Sequence, residues 1–284
     1  MNRFAWRSLW SFRLTRIIGY VAGFLLFYAP FELFARVVDL LFPPEQLYSI
    51  HEPCFRIPLH LLLSGRIAEA GPVSLAALGL FLIVSFLFGP LLCGRLCPAG
   101  ALPEFLSRLV PARFQIDWPK YVPVVPVRYG FFIGFLLAAF AGFSNHCAYC
   151  NFFVFDLLIS AFHTGRIAVY SASLIGTFVV WFVLLGLFTK GGRGVCNFLC
   201  PVGAAGGLMH LAGRRLPFSF SMNVDGNACV GCGICQDQCP IRAVRIIQDK
   251  AVVSYSRCIV CGECAASCPG RAIRYGRQTR EGQS

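Results

Sequence analysis

Long apolar stretches separated by short basic loops dominate the first two thirds of the chain. Four of them cover residues 17–34, 73–92, 129–143 and 168–188. A helix that crosses a bilayer needs about 20 apolar residues, so this pattern predicts four transmembrane helices. The first stretch is long and no small-residue cleavage site follows it, so no cleavable signal peptide is expected.

The composition supports the same interpretation. Apolar residues make up 57% of the chain and charged residues 13%, whereas charged residues are about 25% of a typical soluble domain. The formal net charge is +12, but the basic residues flank the apolar stretches and form no single stripe, so nucleic acid is not an expected partner. Because basic loops stay in the cytoplasm, their distribution predicts a multi-pass protein of the bacterial inner (cytoplasmic) membrane. Its N- and C-termini would be cytoplasmic, and membrane lipid would surround the helices.

The sequence has 15 cysteines, and those nearest the C-terminus form a repeat. Residues 229–240 and 258–269 share the spacing C-x2-C-x2-C-x3-C-P, by which bacterial two-cluster ferredoxins hold two [4Fe–4S] clusters. In that pattern the fourth cysteine of each run binds the other cluster. Zinc ribbons lack the triple run and the closing Cys-Pro, so iron is favoured over zinc. The predicted ligands are Cys229, Cys232, Cys235 and Cys268 for one cluster, and Cys258, Cys261, Cys264 and Cys239 for the other.

A second repeat lies in the apolar part of the chain. Cys93 and Cys97 begin a C-x3-C-P-x-G-A motif after the second stretch, and Cys196 and Cys200 repeat it after the fourth. The apolar part therefore resembles a duplicated unit of two helices and a motif. If the halves pack about a pseudo-two-fold axis, the four cysteines converge. They would then form a further Fe–S site or a docking seat for the tail; the alternative is four structural thiols in tight turns at helix starts.

Three cysteines remain, and the predicted topology places all three on the outer face. They are Cys54, Cys147 and Cys150. The C-x2-C spacing of the last two is compatible with a metal site, an Fe–S centre or a redox-active dithiol. A structural disulfide is equally compatible, because the outer compartment is oxidising.

A quinone is the expected exchange partner for a lipid-embedded protein that carries electrons. Oxidation of a quinol releases protons, so a carboxylate or histidine should lie near the site. Glu32, the one acid within a predicted span, and His60 in an outer loop are the candidates. For each of them the plainer interpretation is an interfacial polar residue that reaches water.

These patterns predict three regions. Residues 1–16 form a basic cytoplasmic tail, and residues 17–215 form an all-α membrane bundle of four transmembrane helices that contains both C-x3-C-P motifs. Residues 216–284 form a small α+β ferredoxin domain with two [4Fe–4S] clusters on the cytoplasmic side.

The combination of four spans, paired C-x3-C-P motifs and a two-cluster tail resembles the NapH and MauN type of ferredoxin-type membrane proteins, which is related to the C-terminal part of NosR. The resemblance extends over nearly the whole chain. It implies a quinol-dehydrogenase component that serves a periplasmic oxidoreductase, often with an extracytoplasmic ferredoxin-like or cytochrome partner. The motif around Cys147 and Cys150 departs from the NapH pattern, which makes MauN or another branch a contender against nitrate reduction.

The leading hypothesis from the sequence is electron transfer between the quinone pool and a periplasmic redox enzyme system, such as nitrate reduction or methylamine utilisation. The alternative is a reductive maturation factor that reduces a metal or disulfide during assembly of a periplasmic or membrane metalloenzyme. A membrane-anchored redox sensor is a third possibility, but no signalling domain is visible. The chain lacks a P-loop, a dinucleotide fingerprint and a hydrolase triad, so NTP use, direct NAD(P)H binding and hydrolysis have no support.

Overall fold

The computed structural model describes residues 3–28, 31–41, 58, 61–62, 65, 71–140, 154–155, 157–159, 161 and 172–277. The first half contains α1 (Arg3–Phe27), α2 (Leu33–Leu41), α3 (Pro72–Phe88), α4 (Leu91–Arg95), α5 (Pro98–Ser107), two 3₁₀ turns (Ala112–Phe114 and Trp118–Lys120) and α6 (Val124–Phe140). The second half contains α7 (Ala172–Phe178), which continues as a π-helix (Val179–Leu187), then α8 (Gly194–Phe198) and α9 (Pro201–Gly213). The tail contains β1 (Phe220–Val224), α10 (Ile234–Gln238), β2 (Val244–Ile247), β3 (Lys250–Val253), α11 (Glu263–Ser267) and β4 (Ile273–Arg277).

The prediction of four transmembrane helices is wrong. Among the helices in the described part of the chain, none combines the length and the apolar character needed to cross a membrane. Helices α3 and α6 have 17 residues each, and α3 ends where Gly89 adopts a φ of 71° ahead of Pro90. Helix α1 has 25 residues but begins with an arginine-rich segment. The predicted four-helix membrane bundle and the predicted multi-pass location in the inner membrane are therefore wrong for the same reason.

The duplicated motif folds in the same way twice. Cys93 lies in α4 and Cys196 in α8, and each of these helices has only five residues. Cys97 and Cys200 then cap the next helices with nearly equal backbone angles, φ −77° and ψ 103° against φ −81° and ψ 109°. A proline follows each of them at the first helical position, where its missing N–H costs no hydrogen bond. The C-x3-C-P motif is therefore one local structure, a short helix that turns into a second helix at the second cysteine.

The tail is a pair of antiparallel ribbons that carries two cysteine loops. Strand β1 pairs with β4, and β2 pairs with β3 as a hairpin. Helices α10 and α11 each begin after a left-handed glycine, Gly233 at φ 79° and Gly262 at φ 82°. The second repeat has Val260 where the first has Gly231, and both residues have positive φ, 51° and 67°. A β-branched residue is strained in that conformation, so the surrounding loop must impose it.

The tail packs directly against the C-x3-C-P motifs. One buried core contains Cys196 together with the tail residues Met222, Cys239 and Cys261, and Cys93 packs against it. Asn197 donates a hydrogen bond from Nδ2 to the carbonyl oxygen of Ile241 at 2.8 Å. The two cysteine-rich parts thus share an interior.

Gly94 is the point of closest approach between α4 and the tail. A Cβ at this position would lie 2.0 Å from the carbonyl oxygen of Ile259 and 2.9 Å from the amide nitrogen of Cys261. Both neighbours are backbone atoms and cannot rotate away. Only glycine lets the residue after Cys93 touch the loop that carries Cys261.

Replacing Gly94 with alanine should therefore separate α4 from the tail. We expect a loss of about 3 kcal/mol in the free energy of unfolding, the upper end of the range for overpacked sites. The measurement is thermal unfolding followed by circular dichroism.

Gly130→Ala is the matched control for this change. Gly130 lies within α6 with no atom within 4 Å of its would-be Cβ, so alanine should stabilise the helix by about 0.5–1 kcal/mol. Equal melting temperatures for the two variants would contradict the close packing.

A histidine is enclosed where α9 meets α3 and the tail. His210 is 1% exposed, and neither ring nitrogen has a hydrogen-bond partner among the described residues. Its ring lies 5.9 Å from that of Tyr255. Burial, with a further contribution from Arg214, lowers the pKa of His210 to about 4.

This depressed pKa predicts acid sensitivity. Below about pH 6.5 the unfolded chain binds a proton that the folded chain does not bind until about pH 4, so stability falls as the pH drops through that window. Between pH 7.5 and 5.5 the loss should be about 1.4 kcal/mol. Comparing the melting temperatures of the wild type and His210→Leu at both pH values measures it, and equal losses in the two proteins would refute this role of His210.

Candidate metal centres

The structure brings together the four cysteines assigned to the first cluster. Cys229, Cys232, Cys235 and Cys268 line one cavity. Three of them come from the first run and Cys268 from the second, the crossed arrangement that the spacing predicts. Cys232 is exposed, so this cavity lies at the solvent-facing end of the tail. These four cysteines are called the outer group below.

The second set is enclosed. Cys239, Cys258, Cys261 and Cys264 are all buried, and the last of these interacts electrostatically with the other three. Burial raises the pKa of Cys261 to about 11 and raises the pKa of Cys239, Cys258 and Cys264 as well. Isolated thiolates are therefore disfavoured here, and bonds to a metal would stabilise them. Cys264 also interacts with Cys235, so the two sets are neighbours.

Backbone amides point at the sulfurs. Ala243 donates to Cys239 Sγ at 3.2 Å, Val260 to Cys258 Sγ at 3.4 Å, and Ala251 to Cys229 Sγ at 3.4 Å. Such bonds stabilise negative charge on cluster sulfur. The strained Val260 is thus held in a conformation in which its amide meets a sulfur.

The four cysteines of the C-x3-C-P motifs also converge. Cys93 interacts electrostatically with Cys97 and Cys196, and Cys200 interacts with all three. Burial raises the pKa of Cys93 to about 12 and also raises that of Cys97 and Cys200. The amide of Gly203 donates to Cys200 Sγ at 3.3 Å. The packing of the two halves thus brings the motifs together.

Two buried arginines flank this four-cysteine site, and each is 1% exposed. Arg193 donates from Nη1 to the carbonyl oxygen of Cys93 at 2.8 Å and interacts with Cys97 and Cys196. Arg128 donates to the carbonyl oxygen of Gly203, and its Nε and Nη1 have no partner in the described part of the chain. Buried cations need an anionic partner. Four thiolates around an iron–sulfur cluster carry net negative charge, so the donor set and its surroundings fit such a cluster.

Within the described residues, no three His, Cys, Asp or Glu side chains form a group that could hold a single metal ion. A cubane cluster takes one thiolate at each of four separate irons, so its ligands surround a volume instead of meeting at one point.

Of the remaining predicted site residues, Glu32 lies in the described part of the chain and does not contact these cysteines. Glu32 lies in the turn between α1 and α2 at φ 44°, and its amide donates to the carbonyl oxygen of Tyr28 at 3.0 Å. His60, Cys54, Cys147 and Cys150 lie outside the described residues.

A group of buried charges between the centres was not recognised from the sequence. Glu104 and Glu263 are fully buried and pair with Arg16, Arg108 and Arg193. In the sequence these arginines lie beside apolar stretches, where basic residues indicate topology. An acid in α5 close to a C-x3-C-P motif was the available signal, but its partners are far away in the chain.

Comparisons with known proteins agree with this geometry. Residues 221–275 match the 4Fe-4S dicluster domain, and residues 70–117 and 174–219 each match a 4Fe-4S binding domain. The chain therefore contains 4Fe-4S cluster-binding domains in both its tail and its C-x3-C-P region. The dicluster match covers the eight tail cysteines, and the paired match covers one C-x3-C-P motif in each copy.

Similar proteins occur in archaea and bacteria. The putative electron transport protein YccM of Escherichia coli is 29% identical over 191 residues, which cover 64% of this chain and 50% of YccM. The uncharacterized protein MJ0749 of Methanocaldococcus jannaschii is 27% identical over 165 residues, 57% of this chain and 55% of the relative. MJ0750 of the same organism is 25% identical over 203 residues, 66% of this chain and 72% of the relative. The chain thus spans about half the length of the first two.

The three cysteine groups predict a specific iron content. Reconstituted protein should contain about twelve irons and as many acid-labile sulfides per chain, because each [4Fe–4S] cluster holds four. The Cys93→Ala/Cys97→Ala variant should lose the four-cysteine cluster and retain about eight irons. Wild-type protein with the same iron content as this variant would show that the C-x3-C-P site holds no cluster.

Proposed function

We propose that the chain relays electrons along a line of three [4Fe–4S] clusters. The four-cysteine cluster stands at one end, the cluster held by Cys239, Cys258, Cys261 and Cys264 in the middle, and the cluster held by Cys229, Cys232, Cys235 and Cys268 at the other end. The bound clusters supply one-electron chemistry. The protein encloses the clusters, sets their reduction potentials and determines their order.

The contact of Gly94 with the loop of Cys261 carries this proposal. It joins the residue after Cys93 to the middle cysteine group without an intervening side chain. At the other side of the middle group, Cys264 interacts with Cys235 of the outer group. Each cysteine group therefore adjoins the next.

The two ends of the line suit different partners. The outer cysteine loop exposes Cys232, with Val230 75% and Ile234 41% exposed beside it. An apolar rim around an accessible centre favours transient docking of another redox protein. A ferredoxin-like or cytochrome partner and, beyond it, an oxidoreductase such as one of nitrate reduction or methylamine utilisation would exchange electrons here.

The opposite end suits a small apolar carrier. A largely apolar cavity borders Cys196 and Arg193, and Phe178, Trp181 and Phe182 line it. Trp181 and Phe182 belong to the π-helix, a rare element that is frequent at functional sites. A quinol bound here would give electrons to the four-cysteine cluster, and the chain would act as a quinol dehydrogenase component of the NapH and MauN type.

A quinol must also release protons. The described lining of the cavity contains no carboxylate or imidazole. Glu32 and His60 remain our candidate acceptors, and both are proposals that follow from the sequence.

The relay is tested with the reconstituted protein, a soluble quinol (menadiol) as donor and a small cytochrome c as acceptor. We expect menadiol to reduce the iron–sulfur absorbance of the wild type. In Cys93→Ala/Cys97→Ala the menadiol rate should fall to background, whereas dithionite should still reduce both tail clusters. An unchanged menadiol rate in that variant would refute entry through the four-cysteine end.

Val230→Asp is the complementary variant. It should slow the reduction of cytochrome c because it places a charge in the apolar rim, and it should leave reduction of the clusters by menadiol unchanged. Loss of both rates, or of neither, would contradict exit at the outer cluster.

A further inference from the structure

A buried carboxylate lies between the four-cysteine site and the tail. Glu104 of α5 is 0% exposed. It accepts a hydrogen bond from Arg193 Nε at 2.6 Å, from Arg16 Nη2 at 3.0 Å and from Arg108 Nη2 at 3.0 Å. Burial alone would raise the pKa of Glu104, but the guanidinium groups of Arg193 and Arg16 lower it below its usual value. Glu104 is therefore ionised and shared by two buried arginines.

Arg193 extends from Glu104 to the four-cysteine site. It donates from Nη1 to the carbonyl oxygen of Cys93 at 2.8 Å and from Nη2 to Tyr20 Oη at 2.9 Å. Tyr20 in turn donates to the carbonyl oxygen of Gly94 at 2.7 Å. The guanidinium is thus held in a fixed position against the backbone of the first C-x3-C-P motif.

Arg16 extends from Glu104 in the other direction. It pairs with Glu263 of α11, which is also fully buried and directly precedes Cys264. Arg16 interacts electrostatically with Cys261. Glu104 therefore has one cation beside the four-cysteine site and one beside the middle cysteine group.

The charges of this group do not cancel. Two carboxylates face Arg16, Arg193 and the partly exposed Arg13 and Arg108. A thiolate-ligated cubane gains one more negative charge when it is reduced. Nearby buried cations stabilise that charge and raise the reduction potential, and a nearby carboxylate lowers it.

We propose that Glu104, Arg16 and Arg193 form one electrostatic unit that sets the potentials of two clusters. Arg193 raises the potential of the four-cysteine cluster, and Arg16 raises that of the middle tail cluster. Glu104 positions both arginines and lowers both potentials together, which keeps the two clusters matched for transfer in either direction. The inference rests on the proposed relay but makes a separate claim about potentials.

Redox titration of the reconstituted protein, followed by electron paramagnetic resonance, tests this unit. Signals are assigned with variants that lack one cluster, such as Cys196→Ala and Cys258→Ala. At the ambient potential at which the wild-type four-cysteine cluster is half reduced, Arg193→Gln should change its oxidised-to-reduced ratio about tenfold toward oxidised, a shift of about 59 mV for one electron. Arg16→Gln should do the same to the middle cluster only.

Glu104→Gln keeps the shape of the side chain and removes its charge, so it should raise both potentials. Arg193→Lys keeps a charge but loses the planar guanidinium that donates to Glu104, Cys93 and Tyr20 at once, so its shift should be smaller than that of Arg193→Gln. Arg113→Gln is the matched control, because Arg113 lies exposed on a 3₁₀ turn and should change neither potential. A merely structural role would leave the potentials of folded, loaded variants at wild-type values, and that result would overturn the proposal.

Should the buried arginine variants fail to fold, Arg108→Gln carries the test. Arg108 is partly exposed and contacts both Glu104 and Glu263. Its loss should lower both potentials by less than the buried variants, since solvent screens it; unchanged potentials would count against the unit. If the C-x3-C-P site holds no iron, the proposed three-cluster relay is wrong. The effect of Arg16→Gln on the potential of the middle cluster would still test the claim about potentials.

Discussion

Negative charge on sulfur, taken out of water, has to be stabilised inside the protein, and much of this fold is arranged around that constraint. Thiolates are costly to bury because desolvation favours their neutral form. Three features would offset the cost: iron bound by the four cysteines of a group would stabilise their thiolates, backbone amides donate to sulfur, and buried arginines lie beside the cysteines. Arg193, which is nearly inaccessible to water, pairs with Glu104. Arg128 is equally buried but forms no ion pair in the described part of the chain, so it requires an anionic group beside it.

The same constraint explains why the tail and the C-x3-C-P motifs share one interior. A ferredoxin domain that stood apart would expose the middle cysteine group on one side. Here that group is covered by α4 and α8, with Gly94 against the Ile259–Cys261 loop and Asn197 bonded to Ile241. Burial of the middle cluster and its closeness to the four-cysteine site are thus consequences of one packing arrangement. The outer group keeps an accessible edge at Cys232, where a partner can approach.

The duplication produces the same local backbone twice, and the differences between the surroundings of the two motifs give the four-cysteine site two distinct sides. The two C-x3-C-P motifs have nearly the same backbone, and the two tail runs repeat even their positive-φ positions. The surroundings differ, because the buried carboxylate Glu104 belongs to the first half and its partner Arg193 to the second. A pair of equivalent motifs thereby becomes a centre with distinct sides, one toward the aromatic cavity and one toward the tail.

The sequence by itself determined the chemistry. Cysteine spacing identified the tail as a two-cluster module and predicted the crossing of Cys239 and Cys268, because three closely spaced ligands fit one loop around a cubane and the fourth must come from elsewhere. The repeat of C-x3-C-P also predicted the meeting of Cys93, Cys97, Cys196 and Cys200, on condition that the halves pack together. The tertiary structure decided the rest. Hydropathy does not show where a helix ends, and Gly89 with Pro90 ends α3 after 17 residues, short of the length needed to cross a bilayer. The pairing of Glu104 with Arg16 and Arg193 joins residues about 90 positions apart. Such contacts form only in the packed chain, where a buried charge has no other partner.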